Sequence, residues 1–439
     1  MATNNQKTKK PYTKIAFQII VAVLFVFVLV SIIGFARGYR LDLTRKSVTP
    51  TGILAVSAFP KAAKVYVNGT MKGVSDLNLT LPPGDYTVSI KKEGYTDWNK
   101  KITLKGEVVI GLDAVLFPRN ASLSPMTNLG VVKAIPIGQI DKLLLFAQNN
   151  DPLKDGIYVF ESNQQPIALF PPLKLILLKK NLPEGVDLKK TQVTFSPNDD
   201  QAIMDFYAGD KTYSYLVYLN QENTDLVDFS QSPESKANFL AKWSDKHQQD
   251  IAKVLETFPK DIKKVATDSF HIIGFSEDDR KVLYTAENDA ILPPVITPPL
   301  IGANQTAESR TLQSGHLYVY DKKEDKNFEI TSLKLPLTPT PTPTITPTPY
   351  YTRITPTPTE EKQRSLYPIT WYADSKHLVQ LMENEIVIVD YDGSNKQTVY
   401  SGPFRENFFM VSSQGRLFIL TNLNPQNNPF DDVYEVGIR

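Results

Sequence analysis

His247, His271, His316 and His377 are the chain's four histidines, and histidine is the side chain best suited to metal ligation and to proton transfer near neutral pH. They fall in different segments, and His316 and His377 flank or occupy strand-like runs, so each is expected to be structural. The acidic pairs Asp199-Asp200 and Asp278-Asp279 carry the residue type needed for general acid–base chemistry. Both pairs follow an aromatic-Ser step, Phe195-Ser196 and Phe275-Ser276. Recurrence in the same context points to turn formation instead of catalysis. Tyr95 and Trp98 could stack on a sugar ring, against the alternative that they fill a core. Lys91, Lys92, Lys100, Lys101 and Lys105 lie around them and either meet an anionic polymer or lipid or form a solvated face. There is no G-x-S-x-G elbow, H-E-x-x-H pair, phosphate-binding glycine loop or EF-hand pattern. The chain has no cysteine, which excludes disulfides and thiolate metal sites. These residues converge on no catalytic, cofactor or metal site. Tyr95 and Trp98 remain as the candidate binding residues.

The first element along the chain is apolar. Ile15 to Phe35 reads IAFQIIVAVLFVFVLVSIIGF without a charge, long enough as a helix to cross a bilayer core of about 30 Å. A signal peptide usually has a shorter apolar core, of about 7–15 residues. Residues 15–36 are therefore expected to be a transmembrane helix between a cytoplasmic tail, 1–14, and a linker, 37–49. The tail carries Lys7, Lys9, Lys10 and Lys14 and no acid, and the other flank Arg37, Arg40, Arg45 and Lys46 with Asp42, so the basic counts nearly tie. The purely basic short tail, with the domain resemblance given below, places the N-terminus inside. The body would then be extracytoplasmic. A formal charge of +1 makes nucleic acid an unexpected partner.

Residues 50–117 are dense in short strands. Lys64-Val65-Tyr66-Val67 runs into Asn68-Gly69, a pair suited to a tight hairpin. Leu77 to Leu81 alternates with period two, Pro82-Pro83-Gly84-Asp85 turns, and Tyr86, Val88 and Ile90 alternate again. About seven strands in this span make a small sandwich or barrel.

This segment resembles the PEGA domain. The resemblance rests on Tyr66-Val67-Asn68-Gly69 with Gly73, on Leu81-Pro82-Pro83-Gly84-Asp85-Tyr86, and on Lys92-Glu93-Gly94-Tyr95 with Trp98. The name-giving tetrapeptide stands here as Pro60-Lys61-Ala62-Ala63, without its acidic residue. The resemblance implies an extracytoplasmic β-sandwich next to a membrane anchor.

From residue 118 to 439 one theme recurs: an apolar strand, a polar turn and a second apolar strand. It reads IPIGQIDKLLLF at Ile135, VTFSPNDDQAIMDF at Val193, IIGFSEDDRKVLYT at Ile272, ITWYADSKHLVQLM at Ile369 and FFMVSSQGRLFILT at Phe408. Each copy is followed by a further strand, and four copies by an outer one. Four-stranded units repeated in this way predict a β-propeller of about five blades. The turns Phe195 to Asp200 and Phe275 to Asp279 resemble those of Tol-system and WD-repeat propellers. The last copy lacks its outer strand, which the segment Asn120 to Val131 is expected to supply.

Two features interrupt the repeats. Ser232-Pro233 starts a helical pattern through Phe239, Leu240, Trp243, Ile251, Val254, Leu255 and Phe258, stopped by Pro259, which predicts a helical insertion over 232–260. The Pro/Thr-rich stretch 337–360 is expected to be an extended mobile loop, and Ile291 to Ala307 has the same character. The fold class is thus all-β with one N-terminal transmembrane helix, a PEGA-like sandwich and a propeller. The expected role is a non-catalytic envelope protein that binds a protein or glycan. A propeller glycosidase or lyase and an accessory sensor subunit are the alternatives.

Overall fold

The computed structural model describes residues 12–36, 39–42, 47–138, 141–149, 151–162, 173–332, 369–382, 384–405, 408–426 and 429–438. The tract 337–360 and residues 1–11 of the tail lie outside the described residues.

Helix α1, Tyr12–Ala36, contains the apolar run. Its stretch Ile15–Gly34 has a mean hydropathy of 3.0, and none of it is buried within the protein. The segment read as a linker holds a two-stranded hairpin, Tyr39–Asp42 with Ser47–Pro50. The chain forms two compact units, the first comprising residues 1–93, 97–116 and 300–305.

In the first unit, seven strands after the hairpin form a three-stranded and a four-stranded sheet. Gly52–Phe59 is central in the smaller sheet, antiparallel to Leu77–Leu81 and parallel to Val109–Val115. The larger sheet runs Thr70–Val74, Lys64–Val67, Gly84–Lys91, Trp98–Leu104. Alternate residues are buried, with Leu54, Val56, Val65, Val67, Val88, Ile90, Ile102, Ile110 and Leu112 in the core. Asn68 and Gly69 both take positive φ, 49° and 78°, as a two-residue hairpin turn requires.

The second unit is a five-bladed propeller built from five four-stranded antiparallel sheets. The innermost strands of the blades are, in order, Val131–Ile137, Gln192–Phe195, Phe270–Phe275, Ile369–Trp371 and Phe409–Val411. In the fifth blade the outer place is taken by Ser122–Pro125, which pairs with Asp432–Gly437 in the register Leu123 to Val436. The N-terminal segment therefore completes the C-terminal blade, as the repeat count required. Buried side chains of blades one and two share one cluster, those of five and one a second, and those of three and four a third.

The helical insertion falls between blades two and three. Helix α2, Pro233–Leu255, starts with proline at its first position, but the Ser232 side chain makes no cap. Phe239, Leu240 and Trp243 pack on Ile203, Leu216 and Phe229 of blade two and its margin. Leu255 and Phe258 join the cluster around Tyr284, Tyr318 and Tyr320 of blade three. Beyond Pro259 the chain forms a second helix, α3, Lys260–Ser269, which the sequence pattern did not indicate. Proline at a helix N-cap or first turn costs little, because the N–H it lacks would have had no partner.

Ile291 to Ala307 differs from its expected mobility. Backbone N–H groups of Val295 and Ile296 donate to Asp325 Oδ2 at 2.6 and 2.9 Å, and Leu292 is fully buried. Arg310 binds both the Asp325 carboxylate and the Pro293 carbonyl. A composition that forbids sheet and helix does not forbid fixation by side chains.

Candidate functional site

Five equivalent turns join the first and second strands of the blades. Each places a residue in the left-handed region: Asp141 at φ 65°, with Gly138 of the same turn at 61°, Asp199 at 58°, Asp279 at 53°, Ser375 at 57° and Gly415 at 73°. Asp, Ser and Gly suit this position because a short polar side chain or none relieves the strain. Ser196, Ser276 and Ser412 accept backbone N–H groups of Gln201, Lys281 and Arg416 through their hydroxyls at 3.0–3.1 Å. Ser196 and Ser276 in turn donate to Asp200 and Asp278. The two acidic pairs are thus committed to holding turns.

The turns also link blades. Ser413 donates to Asp141 through its backbone N–H at 2.8 Å and its hydroxyl at 2.5 Å, joining blade five to one. Tyr372 donates to the Gly415 carbonyl at 2.8 Å, joining four to five. Asp278 donates its N–H to Ser375 Oγ at 3.1 Å, joining three to four. Gly138 stands so close to Asp199 that an added Cβ would lie 2.0 Å from Oδ2. Burial raises the Asp199 pKa above the ordinary carboxylate value.

Within this frame lies a cavity of about 280 Å³, lined by innermost strands and turns of blades one, three, four and five. Its walls include Ile273, Phe275, Ile369, Trp371, Phe409 and Val411. Ile369 and Trp371, like Phe409 and Val411, are two residues apart and so share a strand face. The Trp371 indole donates to the Gly274 carbonyl at 3.2 Å, which fixes the ring. Ser412, Ser413, Thr370 and Glu277 supply the polar side chains, and Glu277 is the one carboxylate among the described lining residues. Such a site suits an apolar or aromatic group of modest size. The paired carboxylates that glycoside hydrolysis uses are not brought together there. Local sequence reasoning missed these residues. Their signal was present in the apolar positions two apart on the first strand of each repeat.

The histidines stay apart. His247 is exposed on α2, His271 lies 3.7 Å from Glu287, and His316 lies 2.8 Å from Glu329. His377 is buried between Asp374, 2.7 Å from its Nδ1, and Asp390, 3.2 Å from its Nε2. Burial alone would lower the imidazole pKa. The charge and hydrogen bond of Asp374, then those of Asp390, overcome this and raise it to about 10. Among the described residues, no cluster of His, Asp and Glu has the makings of a metal site.

Trp98 is only 3% exposed, among the sandwich core residues. Of the two readings of this residue, filling the core is the one its burial fits, since a buried ring offers no face to a sugar. Tyr95 is half-buried, and its carbonyl accepts from Arg119 Nε at 2.7 Å. Lys91 pairs with Asp97 at 3.0 Å, and Lys101 and Lys105 are exposed.

The sandwich has the seven strands and the Asn-Gly hairpin expected from its sequence, and residues 51–120 match the PEGA domain family model. No curated protein matches the chain. Among solved structures, one from Agrobacterium tumefaciens assigned to TolB is 10% identical, with 64% of this chain and 66% of that chain covered, just under two thirds, at a TM-score of 0.18. Oligogalacturonate lyase in complex with manganese is 12% identical over 72% of this chain and 69% of that one, at a TM-score of 0.20. An auxiliary nutrient binding protein from Bacteroides ovatus is 10% identical over 88% and 80%, at 0.16.

Proposed function

We propose that this is a non-catalytic, membrane-anchored extracytoplasmic protein of the prokaryotic cell envelope, with binding or scaffolding as its role. The α1 helix anchors it, the PEGA domain acts as a spacer or envelope-binding module, and the propeller recognises a protein or glycan. The observation that carries this reading is the apolar stretch Ile15–Gly34, none of it buried by the rest of the chain. In water such a surface costs roughly 25 cal/mol per Å², so a bilayer is its natural surrounding. The PEGA domain that follows supports an extracytoplasmic body.

The test uses the absence of native cysteine. Lys72→Cys in the PEGA domain and Asp210→Cys in a blade-two hairpin are both at exposed positions. Each should react with an impermeant maleimide in cells whose plasma membrane is intact, the outer membrane being permeabilised where there is one. Reaction only after lysis would reverse the orientation. The membrane-fraction protein should retain residues 15–36 by intact mass, and a mature mass lacking them would remove the anchor.

A further inference from the structure

At the junction of α2 and α3 a cleft of about 530 Å³ is lined by Thr257, Phe258, Pro259, Arg280, Lys322 and Lys323. Three segments distant in sequence meet here: the helix junction, the first turn of blade three and its third-to-fourth-strand turn. Three of the six lining side chains are cationic and none is acidic. The chain as a whole is nearly neutral, with 48 basic against 47 acidic residues, so this concentration is local. One of the cations is held in place. Lys322 Nζ donates to Thr257 Oγ1 at 2.7 Å and lies 5.2 Å from the centre of the Phe258 ring. The Lys322 backbone N–H donates to the Arg280 carbonyl at 3.0 Å, which ties the two turns together. The carboxylates beside this group are Asp278, 3.8 Å from Arg280 Nε, and Asp321, whose Oδ1 accepts the Lys323 backbone N–H at 2.8 Å; both lie outside the lining. Cations gathered on one patch of surface repel one another, and an oxyanion between them relieves that repulsion while accepting charge-assisted hydrogen bonds.

We propose that this cleft binds a phosphate group carried on a larger ligand. Arg280 supplies a planar donor fork, and Lys322 and Lys323 supply point charges. The site is widely open to solvent, which leaves room for a body attached to the phosphate. The extracytoplasmic source of such a ligand rests on the function proposed above. Binding measured on purified chain is independent of membrane orientation, so the two fail separately.

The full chain in neutral-lipid nanodiscs is titrated with inorganic polyphosphate, with inorganic phosphate, and with vesicles containing phosphatidylglycerol. Polyphosphate should bind, more weakly as salt is raised. Losing one charge-assisted bond should weaken binding about tenfold, and losing two about a hundredfold. Lys322 also packs on Phe258, so the decisive variant is R280Q/K323Q, which alters two exposed side chains. K100Q, in the PEGA domain, should leave affinity within about twofold. Vesicle binding that the double variant abolishes, without polyphosphate binding, assigns the phosphate to a lipid headgroup. Failure of all three probes to bind overturns the proposal, as does binding that R280Q/K323Q retains at full strength.

Discussion

His377 shows how much of a residue's role its surroundings decide. Sequence placed it in a strand and assigned it a structural part, and that much was legible from the repeat. Its two carboxylate partners were not, because Asp390 reaches it from the next strand of the blade, where His377 and Asp390 are paired across the ladder. The imidazolium is buried against the rings of Phe117 and Tyr372, with centroids 5.7 and 6.3 Å away. Its pKa is raised from 6.5 to about 10, so its contribution to stability is fully present below pH 6.5 and is lost as pH rises through 10. Asp374 is shifted the other way: burial opposes the shift, but the His377 charge and hydrogen bond lower its pKa below 3.8. Its contribution is present above that value and is lost on acidification through the lowered one. Melting temperature should therefore fall between pH 7 and 10, and H377L should flatten that fall. The same substitution leaves one buried and one half-buried carboxylate without their cation, at a cost of about 3–5 kcal/mol. An unchanged alkaline limb in H377L would remove the assignment.

At the scale of elements, the first strand, turn and second strand of every blade were readable, because each repeats a period-two pattern around a turn with its own side-chain requirements. Helix α2 was readable for the same reason, its apolar residues recurring at three and four. Elements fixed from a distance were not readable. Asp325 is 3% exposed and accepts from Val295 N, Ile296 N, Arg310 Nη1 and the Tyr320 hydroxyl, at 2.6 to 3.4 Å. It stands about thirty residues beyond the two backbone N–H groups it holds in that loop, and local composition carries no trace of that. D325A strips a partner from several buried or half-buried donors, each worth about 1–3 kcal/mol when left unsatisfied. The expected result is a loss of about 2–4 kcal/mol in denaturant midpoint analysis, with new protease cleavage between residues 291 and 307. If the cleavage pattern stays as in the parent chain, Asp325 is not what holds the loop.

For the propeller as a whole, the count of outer strands foretold how its ends are joined, since an inner-type strand left at an edge exposes unpaired backbone groups. The pairing of Ser122–Pro125 with Asp432–Gly437 removes that edge. One side chain reinforces it. Asp432 Oδ1 accepts from the Thr127 hydroxyl at 2.8 Å, Leu129 N at 2.9 Å and Gly130 N at 3.3 Å. Thr127 Oγ1 in turn accepts Val433 N at 3.0 Å, and Met126 N donates to the Val433 carbonyl at 2.8 Å. Segments some three hundred residues apart are thus sewn together by one carboxylate, one hydroxyl and a short ladder. Sequence revealed the missing strand but not Asp432, whose partners appear only when the ends meet. D432A leaves two buried backbone donors and a hydroxyl unsatisfied, at roughly 2–4 kcal/mol. D432N keeps one acceptor oxygen and should lose less. Deleting residues 120–131 removes the seal and should expose the final strand, so the chain aggregates while D432A only loosens. Hydrogen exchange separates the cases: in D432A, protection should fall first in Asp432–Gly437 and Ser122–Pro125, ahead of the second blade. Uniform loss across all blades would mean that the propeller opens as one unit and that this seam is not its weakest point.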